Sequence, residues 1–573
     1  MRFGLLLLLA TTTLAEDALK ISVNEQGLQS LTYRGVEYGD ATGAGRLGFT
    51  GGAAKLLDAE NQPGKFATTP TSATVQGTTV TQTYPWGQLT VRYTVKGDDL
   101  DIQATLTNTS AHAMSSMWLA NLCQLNDRLK FDATGKQMHW DYHKDRWGGG
   151  GDPYTHWNFA DPHVYWWNDG ATKIIFVDLD PTWETGVQRL KTASGDRWVV
   201  TAGGAATVRV ALRFRSVLAN VLTEAADAYG AFGRANPLQY VWTDRRPIGV
   251  FFVAESAKGW PKNPNGWFND EKLDVTTAEG RQAFAQRLLA RVDAAIAVLK
   301  ETGAQAVIWW DVEGARYPHP ISYIGDPRML PTMAPEMDEI IDLHHAKMIA
   351  AGLKTGICIR PTEVWFDAEK QKWSRSAGND GVRGEAKHAD LKPKDLENWQ
   401  YFPVVERLAQ MIALAQKRWQ ATIFYIDTNG VYRPWGDEQK FEFVLMEAAM
   451  LKELNRRFPG ILLIPELPKS NTGTYHAAYA LHGAQYGELD MGQRGLPNWI
   501  RRMHPTAFGV TVMSDGDFAA NRAELLENVK RGDVLMVHGW WWPKRNDEVL
   551  ALYQEAFPGF SELGDKAAQF PGK

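Results

Sequence analysis

One stretch decides the predicted fold: FPVVERLAQMIALAQKRWQATIFYIDTNG, residues 402–430. Residues 402–419 carry apolar side chains at helical spacing, and a short apolar run, residues 422–426, follows almost at once. That run ends in Asp427 and the turn sequence Thr428-Asn429-Gly430. The pattern indicates a helix followed by a buried parallel strand, with a carboxylate at the carboxyl end of that strand.

The same alternation extends over the second half of the chain. Short apolar runs alternate with amphipathic segments about eight times, which predicts an α/β region built as a parallel (β/α)8 TIM barrel. The predicted strands are 249–254, 306–310, 355–359, 422–426, 461–464, 486–489, 509–513 and 534–537. The predicted helices are 281–299, 337–351, 402–419, 441–458, 522–531 and 546–557.

Residues 19–235 follow a different pattern. Segments 89–95 and 100–106 alternate apolar and polar residues around the turn Lys96-Gly97-Asp98-Asp99, as half-buried strands do. We therefore expect a multidomain chain: an all-β sandwich of the mutarotase-like supersandwich type over residues 16–240, and the barrel over 241–573. The length of 573 residues agrees with two large domains.

Residues 140–167 interrupt the sandwich pattern with five tryptophans and a run of four glycines. A long aromatic loop of this kind is often functional. Two interpretations stay open: the loop reaches over the mouth of the barrel, or it packs on itself at the surface.

The first 15 residues have the features of a secretory signal peptide. Arg2 is followed by a run of five leucines, and Thr13-Leu14-Ala15 resembles a small-residue cleavage site. We expect export to the periplasm or the exterior, with an uncleaved anchor as the alternative. No later segment is long and apolar enough to predict a stable membrane span.

The amino-acid composition indicates which partners and which kinds of site to expect. The formal net charge is -5 and the chain has no long basic run, so we expect no nucleic-acid partner and no binding to anionic membranes. The two cysteines, Cys123 and Cys358, are interpreted as buried thiols rather than a disulfide framework. The 23 tryptophans suit both core packing and stacking on sugar rings. No sequence feature indicates the oligomeric state.

Carboxylates follow nearly every predicted barrel strand. The carboxyl ends of barrel strands form the active-site face, and carboxylates gathered there repel one another and are costly to desolvate. A site that binds a polyhydroxylated ligand and transfers protons has use for them, so we expect a carbohydrate substrate. The acidic residues at these ends include Glu255, Asp311, Glu313, Glu363, Asp427, Glu466, Glu488, Asp490, Asp515 and Asp517.

Glycoside hydrolysis usually needs two carboxylates that flank the scissile bond. Asp427 is the first candidate, since it directly follows an apolar strand; the alternative role is a helix N-cap or strand-end hydrogen bonder. Glu466 follows the next strand and is its candidate partner as general acid. Glu488, Asp490 and Asp515 are rival acids. A separation of about 5–5.5 Å between the two carboxyls indicates retention and about 6.5–9.5 Å inversion.

The remaining candidates are substrate-binding residues. Asp311 and Glu313 follow Trp309-Trp310 and are predicted to bind sugar hydroxyls, with metal binding as the alternative. No cofactor is required, and a structural calcium ion is not indicated. The other predicted binding residues are Trp309, Arg360, Glu488, Asp490, Asp515, His538 and Trp540.

The sequence resembles a group of retaining α-glycoside hydrolases, the α-galactosidases and α-N-acetylgalactosaminidases, in which a mutarotase-like sandwich precedes a (β/α)8 barrel. Residues 27–38, GLQSLTYRGVEY, and 101–110, DIQATLTNTS, look like the sandwich of these enzymes. Residues 424–430, FYIDTNG, resemble their nucleophile motif on the fourth barrel strand. The resemblance implies that Asp427 is the nucleophile. The resemblance to the α-N-acetylgalactosaminidases implies an acid on the fifth strand, which would be Glu466, and the resemblance to the α-galactosidases implies an acid on the sixth strand, which would be Glu488 or Asp490.

The working hypothesis is a retaining α-glycosidase in which Asp427 attacks the anomeric carbon and Glu466 protonates the departing oxygen. Two alternatives remain. One is a barrel glycosidase with a different catalytic pair, for instance one that uses Glu313 or Asp515. The other is a carbohydrate-binding protein that has no turnover.

Overall fold

The protein is described from a computed structural model. It divides into two compact units, Met1–Asn236 and Pro237–Lys573, which are treated separately below. The residues that the structure describes are 18–39, 55–57, 63–65, 67, 69–115, 130–131, 164–179, 188–192, 195–235, 242–254, 260–314, 325–361, 364–367, 372–375, 401–427, 430–435, 440–445, 448–465, 484–486, 501–502, 504–513, 515–537 and 546–558. The predicted signal peptide and most of the loop 140–167 lie outside them.

The first unit consists of antiparallel sheets followed by two short helices. Its largest sheet has the strand order β11-β12-β13-β16-β9-β8-β7-β6, and sheets of five and three strands accompany it. The strands are β1 Leu19–Asn24, β2 Gly27–Tyr33, β3 Val36–Glu37, β4 Lys55–Leu57, β5 Pro63–Lys65, β6 Ser72–Gln76, β7 Thr79–Tyr84, β8 Gly87–Lys96, β9 Asp99–Asn108, β10 Ala113–Ser115, β11 Lys130–Phe131, β12 Val164–Asn168, β13 Thr172–Asp178, β14 Gln188–Thr192, β15 Gly195–Val200 and β16 Ala205–Ser216. The helices are α1 Val221–Glu224 and α2 Ala226–Ala235.

Side-chain alternation explains why this unit forms layers. Every second residue is buried in β9 and, from Gly87 to Tyr93, in β8, and the two strands pair from Gly87 opposite Asn108 to Lys96 opposite Asp99. Gly97 has a φ of 59° in the connecting turn, a conformation that glycine adopts without steric cost. The buried side chains of the large sheet and of β1–β2 form one apolar core, as expected for packed sheets.

The second unit alternates strands with helices. The strands are β17 Ile248–Phe251, β18 Ala306–Trp309, β19 Lys354–Ile359, β20 Val364–Asp367, β21 Lys372–Arg375, β22 Ile423–Ile426, β23 Gly430–Trp435, β24 Lys440–Leu445, β25 Leu462–Pro465, β26 Ala484–Tyr486, β27 Gly509–Met513 and β28 Val534–Val537. The helices are α3 Ala278–Glu301, α4 Leu330–Met333, α5 Pro335–Asp338, α6 Ile341–Ala350, α7 Tyr401–Trp419, α8 Ala448–Arg457, α9 Asp515–Lys530 and α10 Asn546–Ala556. Short 3-10 helices span Trp267–Asn269 and Pro327–Met329.

Eight of these strands form a nearly closed parallel barrel. Their order is β25-β22-β19-β18-β17-β28-β27-β26, so the first strand along the chain, β17, pairs with the last, β28. Every pairing in this sheet is parallel. Within the described residues, β25 and β26 are the two ends of this sheet, and no hydrogen-bonded ladder joins them. The predicted strands therefore form the expected parallel sheet.

The predicted helix over residues 441–458 is partly wrong. Residues 440–445 form β24, which pairs with β23 in a hairpin, and the helix α8 begins only at Ala448. The segment KFEFVL begins with charged residues that alternate with phenylalanines and continues with a β-branched valine, which favours a strand over a helix.

Two apolar clusters line the two faces of the barrel. One cluster consists almost wholly of alternate residues along the strands, including Ile308, Trp310, Cys358 and Tyr425, and it fills the barrel interior. The other joins the remaining alternate strand residues to the buried faces of α3, α6 and α7, and it lies between barrel and helices. Residues two positions apart on a strand point to the same face of the sheet. A strand-end residue therefore points inward when it lies an even number of positions from an interior residue of its own strand. Among the described residues, no helix is both long and apolar enough to cross a lipid bilayer.

Two buried histidines on α6 predict acid sensitivity. His344 and His345 are almost fully buried, stack near Trp309 and Trp419, and have no hydrogen-bond partner for any ring nitrogen among the described residues. Burial lowers the pKa of His344 to about 4 and that of His345 to about 3. The unfolded chain binds protons at pH values below its histidine pKa of about 6.5, whereas the folded chain does not, so folding stability falls as the pH drops from there.

We expect the variant His345→Phe to reduce this acid sensitivity, because the phenyl ring preserves the stacking and takes up no proton. The measurement is the urea midpoint of unfolding at several pH values between 4 and 6.5, the range set by the lowered pKa of His344 and the ordinary histidine pKa. The wild type should lose more stability over this range than the variant. Equal losses in the two proteins would contradict the expectation.

Candidate active site

The site begins with Asp427, which directly follows β22. Its backbone N–H donates to the carbonyl of Ile359, 2.9 Å away, and this bond extends the ladder that pairs Ile359 with Ile426. Asp427 lies two positions after Tyr425, which belongs to the interior cluster, so the side chain of Asp427 points into the mouth of the barrel. The carboxylate is only 3% exposed although it stands at a strand end.

Arg360 is the partner of Asp427. It follows β19, the strand next to β22, and its Nε and Nη2 both contact Oδ2 of Asp427. The guanidinium is 5% exposed, so the ion pair is screened little by solvent. A cation at this distance stabilises the ionised form of the carboxylate and holds it in one orientation. Arg360 was predicted to bind substrate, and the structure places its guanidinium against Asp427, a contact that the sequence did not predict.

Asp311 lies just after β18 and is fully buried. Its two carboxylate oxygens accept hydrogen bonds from the backbone N–H groups of Val253 and Ala254, which follow the first barrel strand. Burial raises the pKa of Asp311 to about 6, against the lowering effect of these backbone donors. Its contacts make Asp311 a residue that ties two strand ends together, which differs from the predicted role in binding sugar hydroxyls.

Glu313, two residues further on, has a different environment. It is fully buried, and neither carboxyl oxygen has a hydrogen-bond partner among the described residues. Burial, reinforced by the charges of Asp326 and Asp311, raises the pKa of Glu313 to about 8, while Arg360 acts in the opposite direction. At neutral pH this carboxyl therefore carries a proton.

Sequence reasoning missed Asp326. It is 2% exposed and caps the 3-10 helix Pro327–Met329, accepting from the backbone N–H of Arg328 at 3.0 Å. Its carboxylate also accepts from Nε and Nη2 of Arg328, at 2.9 and 2.7 Å. An aspartate directly before a proline is a helix-start signal, and it could have identified the cap. Only the fold shows that this charge raises the pKa of Glu313.

Trp309 lies on the opposite side of the barrel wall from the predicted site. It is fully buried, its Nε1 donates to Sδ of Met348 at 3.3 Å, and it packs against the helix α6. Its neighbour Trp310 faces the interior, with its ring centroid 4.2 Å from that of Tyr425. The predicted ligand contact therefore does not fit Trp309, because one step along a strand exchanges the two faces.

Several predicted site residues cannot be placed. Glu466, Glu488, Asp490, His538 and Trp540 lie outside the described residues. Asp515 is the first residue of α9, but its side chain is also outside them. In the part of the chain that the structure describes, no group of three or more potential ligand side chains could hold a metal ion. The metal alternative for Asp311 and Glu313 thus gains no support.

Gly325 positions the arginine of the ion pair. It has a φ of 72°, and its carbonyl accepts from the backbone N–H of Arg360 at 2.8 Å. A Cβ at this position would lie 2.6 Å from Cγ of Arg360. Gly352 has a similar φ of 86°, but a Cβ there would meet nothing within 4 Å.

We expect Gly325→Ala to destabilise the protein more than Gly352→Ala. Both variants incur the left-handed backbone penalty of about 1–2 kcal/mol, whereas only the first forces Arg360 to move. The measurement is the difference between the two urea midpoints, with wild type as reference. Equal midpoints for the two variants would show that Arg360 yields to the added methyl group without cost.

The described residues thus place two buried carboxyl groups with different surroundings at one end of the barrel. Asp427 is ion-paired with Arg360, whereas Glu313 has no hydrogen-bond partner among the described residues and a pKa raised to about 8. Groups whose surroundings separate their protonation states in this way are suited to acid–base and nucleophilic chemistry. The carboxyl ends of the barrel strands are also the usual position of active sites in such folds.

Comparison with known proteins leaves the family open. No protein-family model and no curated protein matches the sequence. Among solved structures, an α-N-acetylgalactosaminidase from Bifidobacterium bifidum in complex with GalNAc matches with 11% identity over 94% of this chain and 92% of that chain, at a TM-score of 0.43. An α-galactosidase from Lactobacillus brevis matches with 12% identity over 94% of this chain and 77% of that chain, at a TM-score of 0.37. A polysaccharide lyase shares 11% identity over 42% of this chain and only 37% of its own length, at a TM-score of 0.24.

Proposed function

We propose that the protein is a glycoside hydrolase that acts on oligosaccharides, polysaccharides or glycoconjugates. The observation that carries the proposal is Asp427, a buried carboxylate at the carboxyl end of a parallel strand, paired with Arg360 and held near the mouth of the barrel. An ionised, oriented carboxylate in this position is equipped to attack an anomeric carbon. The raised pKa of Glu313, about 8, supports the same proposal, since it supplies a protonated group nearby.

The finer proposal is a retaining, α-specific enzyme with Glu466 as general acid. Glu466 follows Pro465, whose ladder partner Ile426 precedes Asp427, so the two carboxylates occupy equivalent positions in the sequence of neighbouring strands. Neighbouring strands are about 4.7–4.9 Å apart, close to the carboxyl separation of about 5–5.5 Å in retaining enzymes. Asp427 would form a covalent glycosyl ester while Glu466 protonates the leaving oxygen. Water would then cleave the ester with Glu466 as base.

Three further proposals accompany this one. The barrel is a full (β/α)8 barrel whose fifth and sixth strands complete the ring. Residues 1–15 are a signal peptide that directs export, and the mature chain consists of a sandwich over 16–240 and the barrel over 241–573. The substrate specificity resembles that of α-galactosidases or α-N-acetylgalactosaminidases.

The test is a screen of aryl α- and β-glycosides, followed by NMR detection of the first anomer released. We expect hydrolysis of an α-glycoside with the α-sugar as first product. Release of the β-sugar would overturn retention. Binding without hydrolysis across the whole panel would overturn the enzymatic proposal and favour a carbohydrate-binding protein.

A second comparison separates the candidate acids. Loss of a general acid impairs substrates with poor leaving groups far more than activated ones, because activated leaving groups depart without protonation. We therefore expect Glu466→Gln to retain much of its activity on an activated aryl glycoside and little on an alkyl glycoside. If Glu313→Gln shows this split and Glu466→Gln does not, Glu313 takes the role of the acid.

A further inference from the structure

The outer face of the large sheet in the first unit presents two ranks of polar side chains, each of which runs across the strands. Residues that lie opposite each other on neighbouring strands share a face of the sheet. The register places five threonines in one rank: Thr74, Thr81, Thr90, Thr105 and Thr207. It places Gln76, Thr79, Arg92, Gln103 and Arg209 in the adjacent rank. We call these the threonine rank and the arginine rank.

The two ranks face away from the apolar core. Residues between them along the strands, such as Val91 and Ile102, belong to that core, whereas every member of the two ranks is exposed or half-buried. The ranks are therefore accessible to a ligand in solution.

Hydrogen bonds between hydroxyl groups order the threonine rank. The Oγ1 atoms of Thr81 and Thr90 are 3.3 Å apart, and those of Thr105 and Thr207 are 3.0 Å apart. A threonine hydroxyl donates one hydrogen bond and accepts two, so each pair keeps a donor and several acceptor positions after its internal bond has formed. The rank can therefore bind the hydroxyl groups of a sugar with side chains that are already oriented.

The arginine rank has two cations that the protein does not neutralise. Arg92 and Arg209 are exposed, and neither has an ion-pair or hydrogen-bond partner for its side chain among the described residues. Arg213, on the same side of β16, differs from them because it pairs with Asp227 of α2 at 2.6 Å. The helix thus supplies a carboxylate to one end of this face, and the two arginines of the rank are left to bind an external anion.

The spacing of these arginines suits an extended ligand. Arg92, Gln103 and Arg209 occupy three consecutive strands, so the two arginine Cα atoms are two strand spacings, or about 9–10 Å, apart. Arg92 also lines an open groove of about 530 Å³ together with Thr79 and Thr94. That volume is within the usual range for ligand sites.

The chemistry of the two ranks narrows the class of ligand. A guanidinium only donates hydrogen bonds, and its planar fork fits a carboxylate with two parallel bonds. The ranks contain no aromatic side chain on which a nucleic-acid base could stack, whereas their threonines and glutamines match a chain rich in hydroxyl groups. These features together favour an extended, hydroxyl-rich ligand with carboxylate groups.

We propose that the threonine and arginine ranks bind an acidic polysaccharide, a sugar chain whose units carry carboxylate groups. Arg92 and Arg209 pair with carboxylates of the chain, while Gln103 and the threonine rank bind its hydroxyl groups. The chain lies across the strands, in the direction of the ranks. The site lies wholly within the first unit, so binding there does not depend on glycoside cleavage in the barrel.

The test measures the dissociation constant of the full chain for polygalacturonate, with neutral dextran as the comparison polymer. We expect Arg92→Gln and Arg209→Gln each to weaken binding by about three- to fivefold, the size expected for one exposed charged contact. Binding should also weaken as the ionic strength rises from about 0.01 M to about 1 M, because the screening length falls from about 30 Å to about 3 Å. Dextran should bind far more weakly.

Two further variants separate the ranks from a general effect of charge. Arg522→Gln removes one exposed positive charge from the second unit and should leave the affinity for polygalacturonate unchanged. Thr90→Val keeps the shape of the side chain but removes a hydroxyl of the threonine rank, and it should weaken binding by about twofold. Unfolding midpoints of all the variants show that each one is folded.

Three outcomes would overturn the proposal. One is an unchanged dissociation constant in the double variant Arg92→Gln/Arg209→Gln, and another is equal affinity for dextran and polygalacturonate. The third is tighter binding of single-stranded oligothymidylate than of polygalacturonate, which would identify a nucleic acid as the ligand. A protein that binds polygalacturonate through these arginines but cleaves no glycoside would refute the proposed function alone.

Discussion

Asp427→Asn is expected to reduce kcat on any cleaved glycoside by about a thousand-fold or more, as removal of a catalytic nucleophile does in other enzymes. The amide is nearly isosteric with the carboxylate but is a far weaker nucleophile. The measurement is kcat with the best substrate from the glycoside screen.

Two controls make this result specific. Glu555→Gln makes the same kind of substitution on an exposed carboxylate and should leave kcat unchanged. Asp427→Gly should regain turnover on activated substrates when azide is added, because the anion occupies the space of the missing carboxylate. A retaining α-enzyme would then form the β-glycosyl azide. Undiminished turnover in Asp427→Asn would contradict the assignment of the nucleophile.

Arg360→Met is expected to destabilise the protein by about 3–5 kcal/mol, because it leaves the buried carboxylate of Asp427 without its counter-ion. Methionine retains much of the aliphatic stem, so the loss comes mainly from the missing charge. The measurement is the free energy of unfolding from urea titration at neutral pH.

The matched control is Arg522→Met, which removes the arginine of an ion pair whose side chains are 41% and 49% exposed. Exposed pairs contribute little to stability, so its unfolding midpoint should stay close to that of the wild type. If Arg360→Met and Arg522→Met have the same effect, the Asp427 carboxylate is solvated far better than its 3% exposure implies. The double variant Arg360→Met/Asp427→Asn should recover part of the lost stability, since it removes the orphaned charge.

Much of the barrel could be predicted from local pattern alone. A run such as residues 306–310, AVIWW, is short, wholly apolar and bounded by the polar residues Gln305 and Asp311, as strands buried on both faces are. The position of Asp427 at a strand end also follows directly from the sequence, because the apolar run stops at Ile426. In contrast, residues 441–445 were predicted as helix although they form a strand, since a hairpin partner decides the state of a short alternating segment.

The roles of individual strand-end residues were harder to predict from the sequence. Trp309 and Trp310 are identical neighbours, and only the pairing of β18 with β17 and β19 decides which of them faces the interior. Asp311 and Glu313 look alike in the sequence, yet one accepts backbone hydrogen bonds and the other has no partner among the described residues. Such differences arise from contacts with segments distant along the chain, which no local pattern contains.

The sequence by itself determined which segments form barrel strands along the chain, and it placed Asp427 and Arg360 at two strand ends. It could do so because hydrophobic periodicity and turn residues are local properties. The tertiary structure alone decided that Arg360 lies against Asp427, and that Glu313 is fully buried with a pKa raised to about 8. The physical reason is that protonation and pairing depend on burial and on the distances between charges. These quantities exist only once the strands have been brought side by side.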